Sequence, residues 1–191
     1  MITISQETID KVNTLLSNVP KGAERAMTNA ANRAIAKAKT EAFKGVTQEY
    51  KIKKGVISEY TKDSIKNATT SDLCATLIFA GQQIPLYKYS LTKPKYPPGK
   101  VFAGQKTARA FEEAFIAKMS SGHIGIFQRT GKARKPIEQK MGSSMRSMVS
   151  NAVVMEQVYK EAQETFDTRI EHEIERLLAG YGTGNIKSVS N

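Results

Sequence analysis

The chain has 191 residues, with 29 Lys plus Arg, 18 Asp plus Glu, two His, one Cys and no Trp, for a formal net charge of +11. That length suits one domain with a core of its own, and a hydrophobic share of 40% argues against wholesale disorder. A single Cys excludes a disulfide framework and any multi-Cys metal site; no apolar run nears the roughly 18 residues that span a bilayer, and the start lacks a basic and an apolar leader region, so a soluble protein made in the cytoplasm is expected.

A first short helix is predicted over Ser5–Ser17, with Ile9, Val12, Leu15 and Leu16 on one face and Ser5 as its cap. Val19-Pro20-Lys21-Gly22 interrupts it. A longer helix follows over about Ala23–Phe43, where Met27, Ala31, Ala34, Ile35, Ala38 and Ala42 recur at three- and four-residue spacing. Its many alanines favour helix and leave a thin side-chain layer that another backbone can approach closely. Lys37, Lys39 and Lys44 fall on the wet face, and Gly45 reads as the stop. Val56, Ile57 and Tyr60 are spaced for a short helix, and the lysine-rich stretch Lys51–Lys62 reads as a solvated face, with a nucleic-acid contact as the alternative.

The period then changes to two. Leu73–Ala80 is predicted as a strand with Leu73, Ala75, Leu77 and Phe79 inward, which would bury Cys74 as a small hydrophobe. Gly81-Gln82-Gln83 makes a turn, and Ile84–Tyr89 returns as a second strand, with Pro85 confining it to a strand start or an edge. Ser90–Lys100, with Pro94, Pro97, Pro98 and Gly99, is a loop, and Lys100–Gly104 a third strand. Ala114–Met119 and Ile124–Phe127 flank a Ser-Ser-Gly turn as a hairpin. Gly142-Ser143-Ser144 reads as a helix cap rather than an anion nest. A last helix carries Val158, Ala162, Phe166, Ile170, Ile174 and Leu177 as its apolar stripe. Glu156, Glu161, Glu164, Glu171, Glu173 and Glu175 make its wet face; Gly180 stops it, and the tail to Asn191 reads as disordered.

The expected fold class is α+β: a small antiparallel sheet of about four strands packed against a long Ala-rich N-terminal helix and a long acidic C-terminal helix. Residues 1–178 are read as one domain, with residues 1–19 as a helical appendage and 179–191 as a flexible tail.

No catalytic constellation is visible. His123 sits at a turn and reads as a structural hydrogen-bonder; His172 reads as an exposed partner of Glu171 and Glu173. Metal and phosphate-loop motifs are missing, so no cofactor is expected. Charge is unevenly spread: residues 1–100 carry a net +8, residues 101–150 a net +6, and residues 151–191 a net −3. A basic body can attract nucleic-acid phosphates or an acidic segment of another copy. The densest segment is Arg129, Lys132, Arg134 and Lys135, on a loop that follows an apolar strand. It reads as a solvated cluster, an intersubunit contact or a phosphate contact, and composition leaves all three open. Lys93, Lys95 and Lys100 on the Pro-rich loop are further candidates for intersubunit or DNA contact.

The same segment carries a resemblance. Arg33 in its Ala-rich helix, Tyr50-Lys51-Ile52-Lys53, Ile84-Pro85-Leu86, Phe115-Ile116-Ala117-Lys118-Met119, and Gly122-His123-Ile124-Gly125-Ile126-Phe127-Gln128-Arg129-Thr130-Gly131 with Pro136-Ile137 follow one another. In that order they resemble the minor tail protein Z family of long-tailed phages and prophages. The motif residues Gly122, His123, Gly125, Phe127, Gly131 and Pro136 are its most specific part, and Gly142-Ser143-Ser144 departs from the family's Gly-Pro-Ser. The resemblance spans about residues 20–178. It implies a structural virion protein that completes the head-proximal end of the tail. It also implies a homo-oligomeric ring, commonly of six, contact with tail-terminator and head-connector proteins, and a hand in holding the DNA end. The alternative reading is a monomeric basic DNA-binding module; a hydrolase comes third, and no membrane association is expected.

Overall fold

The computed structural model describes residues 4–89, 91–92, 101–103, 109–111 and 114–180. In chain order the elements are α1 (Gln6–Leu15), α2 (Gly22–Tyr50), α3 (Lys54–Tyr60), β1 (Thr61–Lys66), β2 (Thr76–Gly81), β3 (Leu91–Thr92), β4 (Val101–Ala103), β5 (Arg109–Phe111), β6 (Ala114–Lys118), β7 (Ile124–Arg129), β8 (Ile137–Gln139), α4 (Met145–Val149) and α5 (Ala152–Leu178). The class is α+β, as expected. Among the described residues the strands form three small sheets, β1-β2, β3-β4-β5 and β6-β7-β8, rather than one sheet of about four strands.

The chain divides into two compact units. The first comprises Met1–Glu41, Ser64–Ile78 and Val158–Asn191; the second comprises Ala42–Asp63 and Phe79–Gln157.

The first unit is built on helices. Ser5 caps α1, its side chain accepting from the Thr8 N–H at 3.2 Å. Val12 and Leu16 of the first helical segment join Ala23, Ala26, Met27, Ala30 and Ala34 of α2 and Phe166, Ile170, Ile174 and Leu177 of α5 in one buried cluster. Small side chains on α2 make room for large ones on α5, and each large one contributes roughly 1.5–3 kcal/mol through burial. The whole predicted stripe of α5, from Val158 to Leu177, is buried. Asn32 clamps the peptide group of Ala68: its Oδ1 accepts from the Ala68 N–H at 2.7 Å and its Nδ2 donates to the Ala68 carbonyl at 3.1 Å.

The second unit centres on the β6-β7-β8 sheet. Both pairings are antiparallel, with Phe115 opposite Phe127 and Phe127 opposite Gln139. Ile126, Ile84, Ile57, Ile52, Met145 and Met148 are fully buried in this unit. Tyr89 is buried too, and its hydroxyl donates to the Ser143 carbonyl at 3.0 Å. Ser144 caps α4, accepting from the Ser147 N–H at 3.4 Å.

Several expectations are corrected. Gly45 does not stop α2; the helix runs on to Tyr50 and ends where Lys51 adopts φ 49°. Gly45 is there for space, since a Cβ at that position would lie 3.2 Å from Val154 Cγ1. The Ile84–Tyr89 strand is a single bridge, Pro85 to Met141, followed by a 3-10 turn over Leu86–Lys88. Proline has no N–H to continue a ladder there. β2 starts at Thr76, after a turn in which the Cys74 N–H donates to Asp72 Oδ1, so Cys74 is exposed rather than buried. The predicted loop over Ser90–Lys100 and the C-terminal tail lie almost wholly outside the described residues.

Candidate interaction surface

The Ser120-Ser121-Gly122 turn joins β6 to β7. It is closed by the Gly122 N–H donating to the Met119 carbonyl at 2.9 Å and the Met119 N–H donating to the His123 carbonyl at 2.8 Å. Gly122 has φ +83°, a conformation that a side chain disfavours. This closure sets the register that places Phe115 against Phe127, their ring centroids 6.4 Å apart. Phe127 leans over Gly125, where a Cβ would meet its ring at 3.1 Å. His123 is exposed and meets Phe127 edge-on at 6.3 Å. The two glycines and Phe127 of the sequence motif therefore have structural roles in the hairpin. Nothing in the structure explains Gly131, which has open space around its Cα.

β7 and β8 are joined by the loop Thr130–Pro136. The Thr130 N–H and Oγ1 both donate to the Pro136 carbonyl, each at 3.2 Å, and close its base. Arg129, Lys132, Arg134 and Lys135 are all exposed on this loop and its stem. Lys132, Arg134 and Lys135 make no ion pair with a described residue. Arg129 lies over the Phe115 ring, with its guanidinium carbon 5.1 Å from the centroid. That contact follows from strand alternation: Arg129 is two residues beyond Phe127, diagonal to Phe115 across the pair. Lys93, Lys95 and Lys100 lie outside the described residues.

Charge follows the units more sharply than it follows the chain. The second unit holds 18 Lys and Arg against 7 Asp and Glu, while the first holds 11 of each. The whole net +11 therefore belongs to the unit that bears the basic loop.

In the first unit the acids split into two kinds. Glu173 is not on the wet face; it is 1% exposed. It accepts from Asn29 Nδ2 at 3.0 Å, from Arg176 Nε and Nη2 at 3.1 and 2.9 Å, and from Arg169 Nη2 at 2.8 Å. Burial opposes its ionisation, yet the bonds from Asn29 and Arg176 and the nearby arginine charges outweigh burial and hold the carboxyl below its ordinary range. Lys37 bonds Glu41 at 2.9 Å and Glu161 at 3.2 Å, which raises its ammonium pKa. In contrast, Glu164, Glu171 and Glu175 are exposed and make no ion pair with a described residue. The Asp167 carboxylate accepts from Gln163 Nε2 at 2.9 Å.

Cys74, His123 and His172 are each exposed. His172 does not pair with Glu171 or with Glu173, whose carboxylate faces the arginines. Among the described residues no three His, Cys, Asp or Glu side chains group to hold a metal ion, and no helix is long and apolar enough to cross a membrane.

The chain thus combines a basic unit with a neutral one. The family model for prophage minor tail protein Z (GPZ) matches residues 6–181, and the chain belongs to this family of phage tail structural proteins. The match takes in α1 as well as the region that carries the resemblance. No curated protein and no solved structure gives a significant match.

Proposed function

We propose that this chain completes the head-proximal end of a long phage tail as a subunit of a ring at the head–tail junction, without a catalytic role. Family membership over residues 6–181 is the observation that carries this reading. The same span supports treating residues 1–178 as one functional domain. A ring needs two different patches, each meeting the other on the next copy. Glu164, Asp167, Glu171 and Glu175, at three- and four-residue spacing, make one carboxylate line of roughly 16 Å along α5. The basic second unit offers its electrostatic complement on a neighbouring copy, and tail-terminator and head-connector proteins are the flanking partners.

The test is reconstitution. Purified protein is added to tails that lack this component, and electron microscopy looks for density at the head-proximal end. Density that is lost when Lys132, Arg134 and Lys135 are changed to Gln supports the reading; no density with the unmodified protein refutes it.

The concentration of net charge on one unit favours a second reading, a monomeric DNA-binding module. It requires duplex binding that falls steeply with salt and needs no protein partner, because counterion release dominates such affinity.

A further inference from the structure

We infer that the face of the β6–β7 hairpin that carries His123 and Arg129 binds an unpaired DNA strand, through planar side chains as well as charge. This deepens the proposed junction role and rests on it only for the identity of the nucleic acid.

Four planar groups converge on that face. Phe115 and Phe127 form a tilted pair, with an interplanar angle of 37°. Arg129 lies over Phe115 and His123 abuts Phe127. Phe127 is buried and Phe115 half-buried, whereas His123 and Arg129 are exposed. The phenyl rings thus brace a guanidinium and an imidazole, two flat groups on which bases stack. Continuing from Arg129, the exposed Lys132, Arg134 and Lys135 suit the phosphates of the same strand.

Charge alone would serve a duplex, a single strand or an acidic protein. The planar layer separates them. Duplex bases are already stacked and paired, so a duplex can use only the loop cations. An unpaired strand offers base faces to Arg129 and His123 and phosphates to the loop. An acidic peptide gains nothing from the braced planes beyond charge.

The experiment uses the full chain and fluorescence anisotropy. Labelled mixed-sequence single strands and blunt duplexes of equal length are compared over a salt series. At matched salt the single strand binds roughly fivefold tighter or more, the lower end of what one base stack contributes. Arg129→Lys keeps the charge and loses the plane; it lowers single-strand affinity by about fivefold and leaves duplex affinity within about twofold. His123→Ala shifts affinity in the same direction, while Lys132→Gln weakens both ligands and flattens the salt dependence. Equal binding of duplex and single strand overturns the inference. So does an Arg129→Lys variant with unchanged single-strand affinity and native circular dichroism, or displacement by polyglutamate with no binding of either nucleic acid. Protein that restores tails yet fails this assay leaves the junction role standing. Protein that binds single strands but never joins tails removes the junction role instead.

Discussion

Replacing Glu173 by alanine removes one carboxylate and strands Asn29, Arg169 and Arg176 together. Breaking a fully buried ion pair costs roughly 3–5 kcal/mol, and an exposed one roughly 0–1 kcal/mol. Here the acid is 1% exposed, while the side chains of Arg169 and Arg176 are 40% and 37% exposed, so water takes over part of what they lose. The expected loss lies between the limits, at about 2 kcal/mol, or about 4–8 °C in Tm for a chain of this size. Glu173→Gln keeps the shape and loses the charge, and falls between parent and alanine variant. The folded carboxyl sits below its ordinary value, so the folded state binds fewer protons than the unfolded state in the acid range. Its contribution is therefore complete above roughly pH 4.3, the unfolded value, and disappears as pH falls through the lower folded value. Urea unfolding followed by circular dichroism, at neutral pH and in the acid limb, measures both effects. An alanine variant within about 0.5 kcal/mol of the parent at neutral pH, or a difference that persists unchanged in strong acid, would refute the reasoning.

The Tyr89 hydroxyl, pushed up to about 12 by burial, should give a late fraction in an absorbance titration, and Tyr89→Phe should remove it. Gly142→Ala should lower Tm, because its Cβ would lie 2.6 Å from the Tyr89 hydroxyl oxygen and displace the ring from the Ser143 carbonyl. The single thiol should react with an aromatic disulfide reagent in the folded protein without denaturant, since Cys74 is exposed; reaction only on unfolding would contradict the position of β2. Leu177→Ala should cost about 2–4 kcal/mol and Leu178→Ala under about 0.5 kcal/mol by urea melts, because the first is 2% exposed and the second 55%.

Much of the first unit was legible because its signals are local and periodic. Ser5 supplies a cap three residues before the N–H it satisfies, and the α5 stripe repeats without interruption. The β6–β7 hairpin was equally readable, for two apolar runs flank a turn that needs glycine. What escaped depends on neighbours distant in sequence. Gly45 looks like a stop until Val154 is known to occupy its Cβ space. Glu173 looks like a surface acid until Asn29, 144 residues away, reaches it. β1 has the sequence Thr-Lys-Asp-Ser-Ile-Lys, too polar to announce a strand, although its burial alternates along its length. In the candidate surface the four cations were visible in sequence, but the stack of Arg129 on Phe115 needed the strand register, and the charge contrast needed the partition into units.

The seam between α2 and α5 carries a constraint on how this protein can vary. Ala26 and Ala30 have no exposed surface, and Phe166 and Ile170 have 3% each. With one helix giving room and the other filling it, bulk can be traded only in opposite directions at once. A branched residue at Ala30 is overpacked by itself, yet paired with a shortened side chain across the seam it conserves volume. The two helices should therefore drift as a coupled pair, and their substitutions should be strongly non-additive.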